Sequence, residues 1–217
     1  MLFRSIVNIC GSTLDEYVEV AKVVSDAEGV AALELNISCP NIKEGGIQFG
    51  CSLIGTHDVV SAVRKVTSLP IIPKLTPNVT DPASFARAAE EAGADAVSLV
   101  NTFLALAIDV ETRKPAISNG MGGLSGPAIR PIAVRMTYEC AKAVKIPVIG
   151  MGGITSARDA LEFLIAGATA VQVGTANFVD PFIWSKLTAG LTDYLQRHQI
   201  ARVQDLVGTV DFSKGKH

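Results

Sequence analysis

The residues that point most directly to chemistry follow a short apolar segment near the start of the chain. Asn36, Ser38, Cys39 and Asn41 stand close together, directly after Leu33-Glu34-Leu35. Asparagine carries hydrogen-bond donors and an acceptor, which suits a planar heterocycle with carbonyl and N–H edges. A neighbouring cysteine acts as a nucleophile or proton acceptor when its thiol pKa is lowered. The run therefore predicts a ligand site at the end of a strand.

Further candidates lie at other predicted strand ends. Lys74 follows Ile71-Ile72-Pro73, and a lysine in a buried strand must meet an anion, a cofactor or a Schiff-base substrate. The turns Gly150-Met151-Gly152-Gly153 and Gly174-Thr175 each follow an apolar strand, where backbone N–H groups can approach a phosphate closely. Taken singly, Cys39 is more typical of a small buried apolar residue. The combination favours a functional site.

Composition excludes several classes of protein. The chain has 217 residues, 48% of them hydrophobic, a net charge of −2 and a pI near 5.9. We expect one domain spanning residues 1–217, with no electrostatic preference for nucleic acid or an anionic membrane. No apolar run reaches membrane-spanning length, and the segment Met1-Leu2-Phe3-Arg4-Ser5 is too short for a secretory signal. The four cysteines lack metal-site spacing, which predicts no metal and reduced thiols in the cytoplasm.

Strands and helices are predicted to alternate along the chain. Thr13, Asp81-Pro82 and Ser156 are typical helix starts, and Gly93 and Gly167 are typical helix ends. Between the helices lie short apolar runs that read as buried parallel strands. The predicted strands are Ser5–Ile9, Val30–Ile37, Ile71–Leu75, Ala96–Val100, Ile146–Gly150 and Ala170–Gly174.

A weak internal repeat favours a barrel. Ala92-Gly93-Ala94-Asp95-Ala96-Val97 returns as Ala166-Gly167-Ala168-Thr169-Ala170-Val171, which is typical of an α/β (β/α)8 TIM barrel. A Rossmann-type sheet is the alternative, but no G-x-G-x-x-G follows the first strand. The phosphate site of such barrels follows strands seven and eight, and only about six strands reach that point here. We therefore expect a barrel that lacks its first two βα units at the N-terminus.

One predicted connection is unusually long. About thirty residues separate Val100 from Pro131, with a hairpin expected around Thr112-Arg113-Lys114 and a glycine-rich stretch from Asn119 to Pro127. Loops of this length in compact domains are usually lids or binding loops. The glycines beside Ser125 favour close approach to a ligand.

Taken together, these motifs resemble dihydroorotate dehydrogenase catalytic subunits of the NAD-dependent class 1B, from Ile6 to about Asp205. The set is highly specific, whereas any one glycine pair is weak. The matching motifs are Asn36-Ile37-Ser38-Cys39-Pro40-Asn41, Lys74-Leu75-Thr76-Pro77-Asn78-Val79-Thr80-Asp81, Gly122-Gly123-Leu124-Ser125-Gly126-Pro127-Ala128, Gly150-Met151-Gly152-Gly153 and Gly174-Thr175-Ala176-Asn177-Phe178.

The resemblance implies an FMN enzyme that oxidises dihydroorotate to orotate in pyrimidine biosynthesis. By it, Cys39 is the base that removes the C5 proton while a hydride passes from C6 to flavin N5, and Lys74 stabilises negative charge on the reduced ring. Substrate would be held by Asn36, Asn41, Asn101 and Thr102. FMN would be lined by Asn8, Asn36, Lys74, Val100, Gly126, Gly152, Gly153, Gly174 and Thr175.

The resemblance also implies partners. A second subunit carrying FAD and an iron–sulfur cluster would pass electrons to NAD, and the catalytic chain would form a homodimer within a heterotetramer. Cys51 stands where the family usually has threonine, so it is a second thiol on the loop that carries the base; Cys39 is preferred as the base because of its place after the strand. The alternatives are a dihydropyrimidine dehydrogenase-like flavin domain, a non-catalytic barrel fragment and, more remotely, a Schiff-base aldolase using Lys74.

Overall fold

Strands and helices alternate along the structure, a computed structural model that describes residues 4–38 and 49–213. The first half comprises β1 (Ser5–Ile9), α1 (Leu14–Ser25), β2 (Val30–Leu35), α2 (Leu53–Arg64), β3 (Ile71–Pro73), α3 (Pro82–Glu91) and β4 (Val97–Leu99). Four short strands follow: β5 (Phe103–Ala105), β6 (Ile108–Asp109), β7 (Lys114–Pro115) and β8 (Gly122–Leu124). The remainder comprises α4 (Arg130–Ala143), β9 (Val148–Met151), α5 (Ala157–Ala166), β10 (Ala170–Gln172), α6 (Thr175–Val179) and α7 (Ile183–Arg197).

Six strands, β1 to β4 with β9 and β10, form parallel sheets. β1, β2 and β3 pair in that order, and β10, β9 and β4 form a second set. A parallel backbone bridge between Lys74 and Ser98 joins the two sets. These six strands therefore run in the order β1-β2-β3-β4-β9-β10. The prediction of an α/β fold with parallel strands is confirmed.

The sheet is curled, as two hydrogen bonds from its end strands to one side chain show. Asn8 on β1 and Gln172 on β10 both donate a hydrogen bond to the carboxylate of Glu34 on β2, at 2.7 and 3.0 Å. In a flat sheet of this order, the side chains of β1 and β10 would lie far apart, since adjacent strands are about 4.8 Å apart. The curl turns the side chains of several strands toward a common axis.

The strands are shorter than the apolar runs from which they were predicted. The predicted strand Val30–Ile37 is wrong in its last two residues, because β2 ends at Leu35 and the chain turns there. The carbonyl of Leu35 accepts hydrogen bonds from both the Ile37 and Lys74 amides, at 2.9 and 2.8 Å. β3, β4 and β10 likewise end one or two residues earlier than predicted, whereas β9 runs one residue further, to Met151. Polar residues at these ends are therefore in turns facing the site.

Helix starts follow the predicted local signals. The side chain of Thr13 accepts a hydrogen bond from the Glu16 amide, and Asp81 and Ser156 cap α3 and α5 in the same way. Gly93 and Gly167 follow the ends of α3 and α5 with φ of +96° and +125°, a region that glycine adopts without steric cost. These caps fix where each helix begins and ends against the sheet.

The core lies between the strands and the helices that cover them. Leu33, Leu35, Ile71, Val97 and Leu99 are fully buried on the strands, as expected for parallel strands covered on both faces. Each fully buried large aliphatic side chain contributes about 1.5–3 kcal/mol. The strand ends are therefore held by a rigid apolar layer.

The long connection forms two antiparallel pairs. β5 pairs with β8, and β6 pairs with β7 around a turn in which Arg113 has φ of +56°. The predicted hairpin around Thr112-Arg113-Lys114 is thus confirmed. Within residues 4–38 and 49–213, no helix is long and apolar enough to cross a membrane.

Candidate active site

A cavity of about 440 Å³ lies at the carboxyl ends of β3, β4, β9 and β10. This is the edge at which parallel barrels carry their sites. The predicted site residues that line it are Lys74, Val100, Asn101, Thr102, Gly126, Gly152, Gly153, Gly174 and Thr175. The structure thus brings together nine of the positions named from the sequence.

Two glycine turns form one wall of the cavity. Gly152 and Gly153 have φ of +128° and +77°, which side chains other than glycine rarely adopt. A Cβ on Gly153 would come within 2.6 Å of the Gly126 carbonyl oxygen, so the two backbone segments lie directly against each other. A Cβ on Gly174 would meet nothing within 4 Å. Gly174 therefore borders open space that a ligand can fill.

Lys74 contributes positive charge to the same cavity. It follows β3 directly and is half-buried. No hydrogen-bond or ion-pair partner of its ammonium group is found in the part of the chain that the structure describes. Since desolvating an ammonium without an anion is costly, this position favours a ligand that carries negative charge or an electron-rich edge.

A hydrogen-bond network joins the ends of β2 and β4. The hydroxyl of Ser38 donates to Asn36 Oδ1 at 3.0 Å, and Asn101 Nδ2 donates to Ser38 Oγ at 2.5 Å. The side-chain oxygen Oδ1 of Asn101 accepts from the Thr102 amide at 2.8 Å. Asn36 Oδ1 accepts hydrogen bonds from Ser38 and Asn101, and its NH2 group meets no acceptor among residues 4–38 and 49–213. Asn36 is connected through Asn101 to the residues that line the cavity.

The side chain of Thr102 is packed against a glycine. A Cβ on Gly123 would come within 2.3 Å of Thr102 Oγ1. Gly122 is similarly placed against the side chain of Ile117, at 2.6 Å. The structure therefore corrects the interpretation that these two glycines serve close approach to a ligand, because they make room for side chains of the long connection. Gly126 is the glycine of this stretch that lines the cavity.

Asn78 fixes the start of the long connection. Its side chain donates to the Thr102 carbonyl at 3.1 Å and accepts from the Leu104 amide at 3.0 Å. The side-chain amide of Asn78 thus donates one hydrogen bond and accepts another, and together they hold the backbone on either side of Phe103. Thr102 is consequently held by Asn78 on one side and Asn101 on the other.

A buried carboxylate anchors the loop after β9. Asp159, 4% exposed, pairs with Arg130 and accepts hydrogen bonds from the amide and hydroxyl of Thr155, at 2.9 and 2.8 Å. Burial by itself would raise the pKa of the Asp159 carboxyl, but hydrogen bonds from Thr155 and Ser156 and the Arg130 guanidinium outweigh it, so the pKa lies below its usual value. This anchor holds the turn that contains Gly152 and Gly153.

A second buried carboxylate lies on the curled sheet. Glu34, 7% exposed, accepts hydrogen bonds from Asn8 Nδ2 at 2.7 Å, Ser98 Oγ at 2.7 Å and Gln172 Nε2 at 3.0 Å. Asn8, predicted to contact the cofactor, does not line the cavity. Its hydrogen bond to Glu34 connects it to Gln172. Gln172 does line the cavity.

The predicted base, Cys39, and the predicted substrate residue Asn41 lie outside the described residues. Of the described thiols, Cys10 and Cys51 are exposed and Cys140 is buried. Cys51 stands in a 3-10 turn before α2. Partial burial raises the pKa of the Cys51 thiol, which disfavours its thiolate. Within residues 4–38 and 49–213, no group of three or more histidine, cysteine or acidic residues could hold a metal ion.

The sequence interpretation missed Glu34, Ser98 and Gln172 as members of the site. A signal was present at two of them, since Glu34 interrupts the apolar strand Leu33–Leu35 and Gln172 stands between Val171 and Val173. A charged or amide side chain in a buried strand needs a partner. Which partner it finds depends on the curl of the sheet.

Comparisons with known proteins agree on one family. A sequence model of the dihydroorotate dehydrogenase family matches residues 3–195. The chain is 55% identical over 205 residues to a protein named dihydroorotate dehydrogenase B (NAD(+)), catalytic subunit, of Porphyromonas gingivalis, covering 94% of this chain and 67% of that one. Proteins of the same name from Phocaeicola vulgatus and Desulforamulus reducens are each 53% identical, over 95% and 94% of this chain and 68% and 67% of theirs.

A solved structure supports the fold. The dihydroorotate dehydrogenase of Eimeria tenella, crystallised with ferulenol, superposes with a TM-score of 0.75 at 23% identity. The superposition covers 90% of this chain and 57% of the other, so the chain spans a little over half of that enzyme. With the cavity at the strand ends and the family match over most of its length, the chain belongs to the dihydroorotate dehydrogenase family, a family of oxidoreductases.

Proposed function

We propose that the protein oxidises dihydroorotate to orotate in pyrimidine biosynthesis, with FMN held in the cavity at the strand ends. Dihydroorotate dehydrogenases are flavin-dependent, and close relatives are named as catalytic subunits of the NAD-dependent type. The observation that carries the proposal is the convergence of Lys74, the glycine turns and Asn101-Thr102 on one cavity.

The residues present fit a flavin mononucleotide. The phosphate would lie against the turns at Gly152-Gly153 and Gly174-Thr175, both of which line the cavity, and open space borders the backbone at Gly174. Lys74 would compensate negative charge on the ring, and Val100 would contribute an apolar contact. Gly126, whose carbonyl oxygen lies directly against Gly153, would contribute to the same wall. When bound, FMN supplies the acceptor for the hydride that leaves C6 of the substrate.

The chain's own groups would bind substrate and remove its proton. Cys39 is proposed to take the C5 proton as a thiolate, which requires a pKa lowered from the reference value of ~8.5. The NH2 group of Asn36 would donate to a substrate carbonyl, and Thr102 and Asn41 would complete the pyrimidine pocket. Asn101, both of whose amide atoms are used within the protein, would fix the backbone of Thr102.

We further propose the setting in which this chemistry runs. Residues 1–217 would form one domain whose parallel strands belong to a (β/α)8 barrel, acting in the cytoplasm. The names of its relatives imply a partner subunit, proposed to carry FAD and an iron–sulfur cluster and to pass electrons to NAD. Self-association as a homodimer is supported by exposed apolar side chains on the long connection, which are Leu104, Leu106, Ile108, Val110, Ile117, Met121 and Leu124.

The test is the visible spectrum of the purified chain with FMN, recorded without oxygen before and after dihydroorotate is added. Bound flavin that is bleached by dihydroorotate supports the proposal. Bleaching by dihydrouracil but not by dihydroorotate would instead assign the protein to dihydropyrimidine chemistry. Failure to bind FMN would overturn the proposal for this chain.

Two thiol variants separate the candidate bases. Cys39→Ala is expected to slow flavin reduction by dihydroorotate about 10²–10⁴-fold, the usual contribution of a positioned base. Cys51→Ala is expected to leave that rate within about threefold, because its thiol is exposed and its pKa is raised. The reverse pattern would transfer the role of base to Cys51.

A further inference from the structure

Glu34 accepts a hydrogen bond from the side-chain amide of Gln172, a residue that lines the cavity. An ionised carboxylate only accepts hydrogen bonds, so the group that Gln172 turns toward Glu34 must be its NH2. The Nε2–Oε1 distance is 3.0 Å. The carbonyl oxygen Oε1 of Gln172 accepts no hydrogen bond from the described residues. Since Gln172 lines the cavity, that oxygen is the polar atom it offers to a ligand.

The arrangement around Glu34 leaves little freedom. Its Oε1 atom also accepts from Ser98 Oγ, which is fully buried, and its Oε2 atom accepts from Asn8 Nδ2. Three donors from three strands therefore surround one carboxylate that is 7% exposed. Turning the Gln172 amide over would set a carbonyl oxygen against a carboxylate oxygen, which is repulsive.

We propose that Gln172 is a ligand-binding residue and that Glu34 is the positioning residue that fixes its amide, so that Gln172 Oε1 accepts a hydrogen bond from an N–H or O–H group of the bound flavin. The inference rests on the proposed function in so far as the ligand is a flavin. The Glu34–Gln172 pair is a property of the protein without ligand.

A cycle of amide and carboxylate exchanges tests both parts. Glu34→Gln replaces one acceptor oxygen by an NH2 group among the three donors, and Gln172→Glu sets two carboxylates against each other. The double variant Glu34→Gln/Gln172→Glu restores one donor facing one acceptor, keeps the net charge and leaves an oxygen toward the cavity. Ser98→Ala is the matched control, since it removes a donor to Glu34 without touching Gln172.

Two quantities are measured for each variant: the thermal midpoint without ligand and the dissociation constant for FMN from flavin fluorescence. Each single exchange is expected to lower the midpoint by about 4 °C or more and to weaken FMN binding about tenfold or more. The double variant is expected to recover most of the thermal midpoint and most of the affinity for FMN. Ser98→Ala should lower the midpoint and leave FMN binding within about threefold.

Each contrary result has its own meaning. Midpoints in the double variant no better than in the worse single variant would overturn the role of Glu34 in fixing the amide. FMN binding that follows the midpoint in every variant, Ser98→Ala included, would reduce the pair to a structural contact and overturn the binding role of Gln172. A wild-type chain that takes up no FMN would overturn the proposed function, while the midpoints would still decide the orientation of Gln172.

Discussion

At the residue scale, the site combines groups with spare hydrogen-bonding capacity and groups that have none. Asn101 is satisfied within the protein on both amide atoms, whereas the NH2 group of Asn36 and the ammonium group of Lys74 meet no partner in the part of the chain that the structure describes. A fully satisfied amide fixes geometry and an unsatisfied one binds. The distinction separates positioning residues from binding residues among side chains of the same type.

Lys74→Met tests the charge in the cavity. The methionine keeps most of the length and removes the ammonium group, so FMN binding is expected to weaken about 10–100-fold, the cost of losing one charged hydrogen bond. The thermal midpoint without FMN should not fall, because an ammonium without an anion is itself unfavourable in a half-buried position. Flavin fluorescence titration and thermal unfolding give the two quantities.

The matched control is Lys145→Met, at an exposed position before β9. It should leave the dissociation constant for FMN unchanged. A Lys74→Met variant that binds FMN as tightly as wild type would contradict the role assigned to this lysine.

At the scale of elements, short turns after strands do most of the positioning. The loop after β9 is anchored by Asp159 on α5, and the start of the long connection is held by Asn78 after β3. Both anchors lie in elements other than the loops they hold. The turns are therefore as rigid as the layer of strands and helices beneath them.

Alanine at two glycines is expected to give opposite results. Gly174→Ala adds a methyl group where nothing lies within 4 Å, so stability should be kept while FMN binding weakens, because the added group occupies the ligand's space. Gly123→Ala forces Thr102 to move, since the new Cβ would come within 2.3 Å of Thr102 Oγ1, and should destabilise the fold by about 1–3 kcal/mol. Denaturant unfolding and FMN titration measure the two effects. Equal effects of both variants on FMN binding would contradict the assignment of Gly174 to the ligand's space and of Gly123 to the packing of Thr102.

Acid should release the Asp159 anchor. Because the pKa of Asp159 is lowered in the folded state, its contribution to stability is complete above the unfolded pKa of ~3.9 and is lost as the pH falls through the lower folded pKa. Asp159→Asn should cost on the order of 1–3 kcal/mol at neutral pH, since it removes a charged acceptor from Thr155 and leaves Arg130 paired only with Glu162.

Urea unfolding of wild type and Asp159→Asn from pH 7 to pH 3 checks the sign. The difference in free energy of unfolding between the two proteins should be constant near neutral pH and shrink below about pH 4. A difference that grows with acid would contradict the lowered pKa.

At the scale of the whole molecule, ligand and fold are coupled through the cavity. Its wall is made from residues after β3, β4, β9 and β10, so a ligand bound there joins segments from both halves of the chain. FMN at about one hundred times its dissociation constant should stabilise the fold by about 2.7 kcal/mol. For a chain of this size that is about 5–11 °C in thermal midpoint.

Riboflavin provides the control, because it has the same ring and no phosphate. If the glycine turns hold the phosphate, riboflavin at the same concentration should raise the thermal midpoint much less than FMN does. An equal shift with both compounds would contradict a phosphate site at Gly152-Gly153 and Gly174-Thr175.

Sequence alone determined the features that depend on near neighbours. Thr13, Asp81 and Ser156 cap helices, and Gly93 and Gly167 follow helix ends, because each signal acts within about four residues of chain. The alternation of strands and helices followed for the same reason, and so did the placement of Lys74 and the glycine turns at strand ends. Strand bounds were less accurate, since apolar composition continues into the turns that follow each strand.

Tertiary structure alone decided how distant residues meet. Glu34 and Gln172 are 138 positions apart, and nothing in either local segment specifies the other. The curl of the sheet brings them together, and the buried carboxylate then selects an NH2 group as its neighbour. Gly123 shows the same dependence: a glycine that resembles a ligand-binding turn in sequence instead makes room for Thr102. Local chemistry names the candidates, and packing over long separations decides which atoms they leave for a ligand.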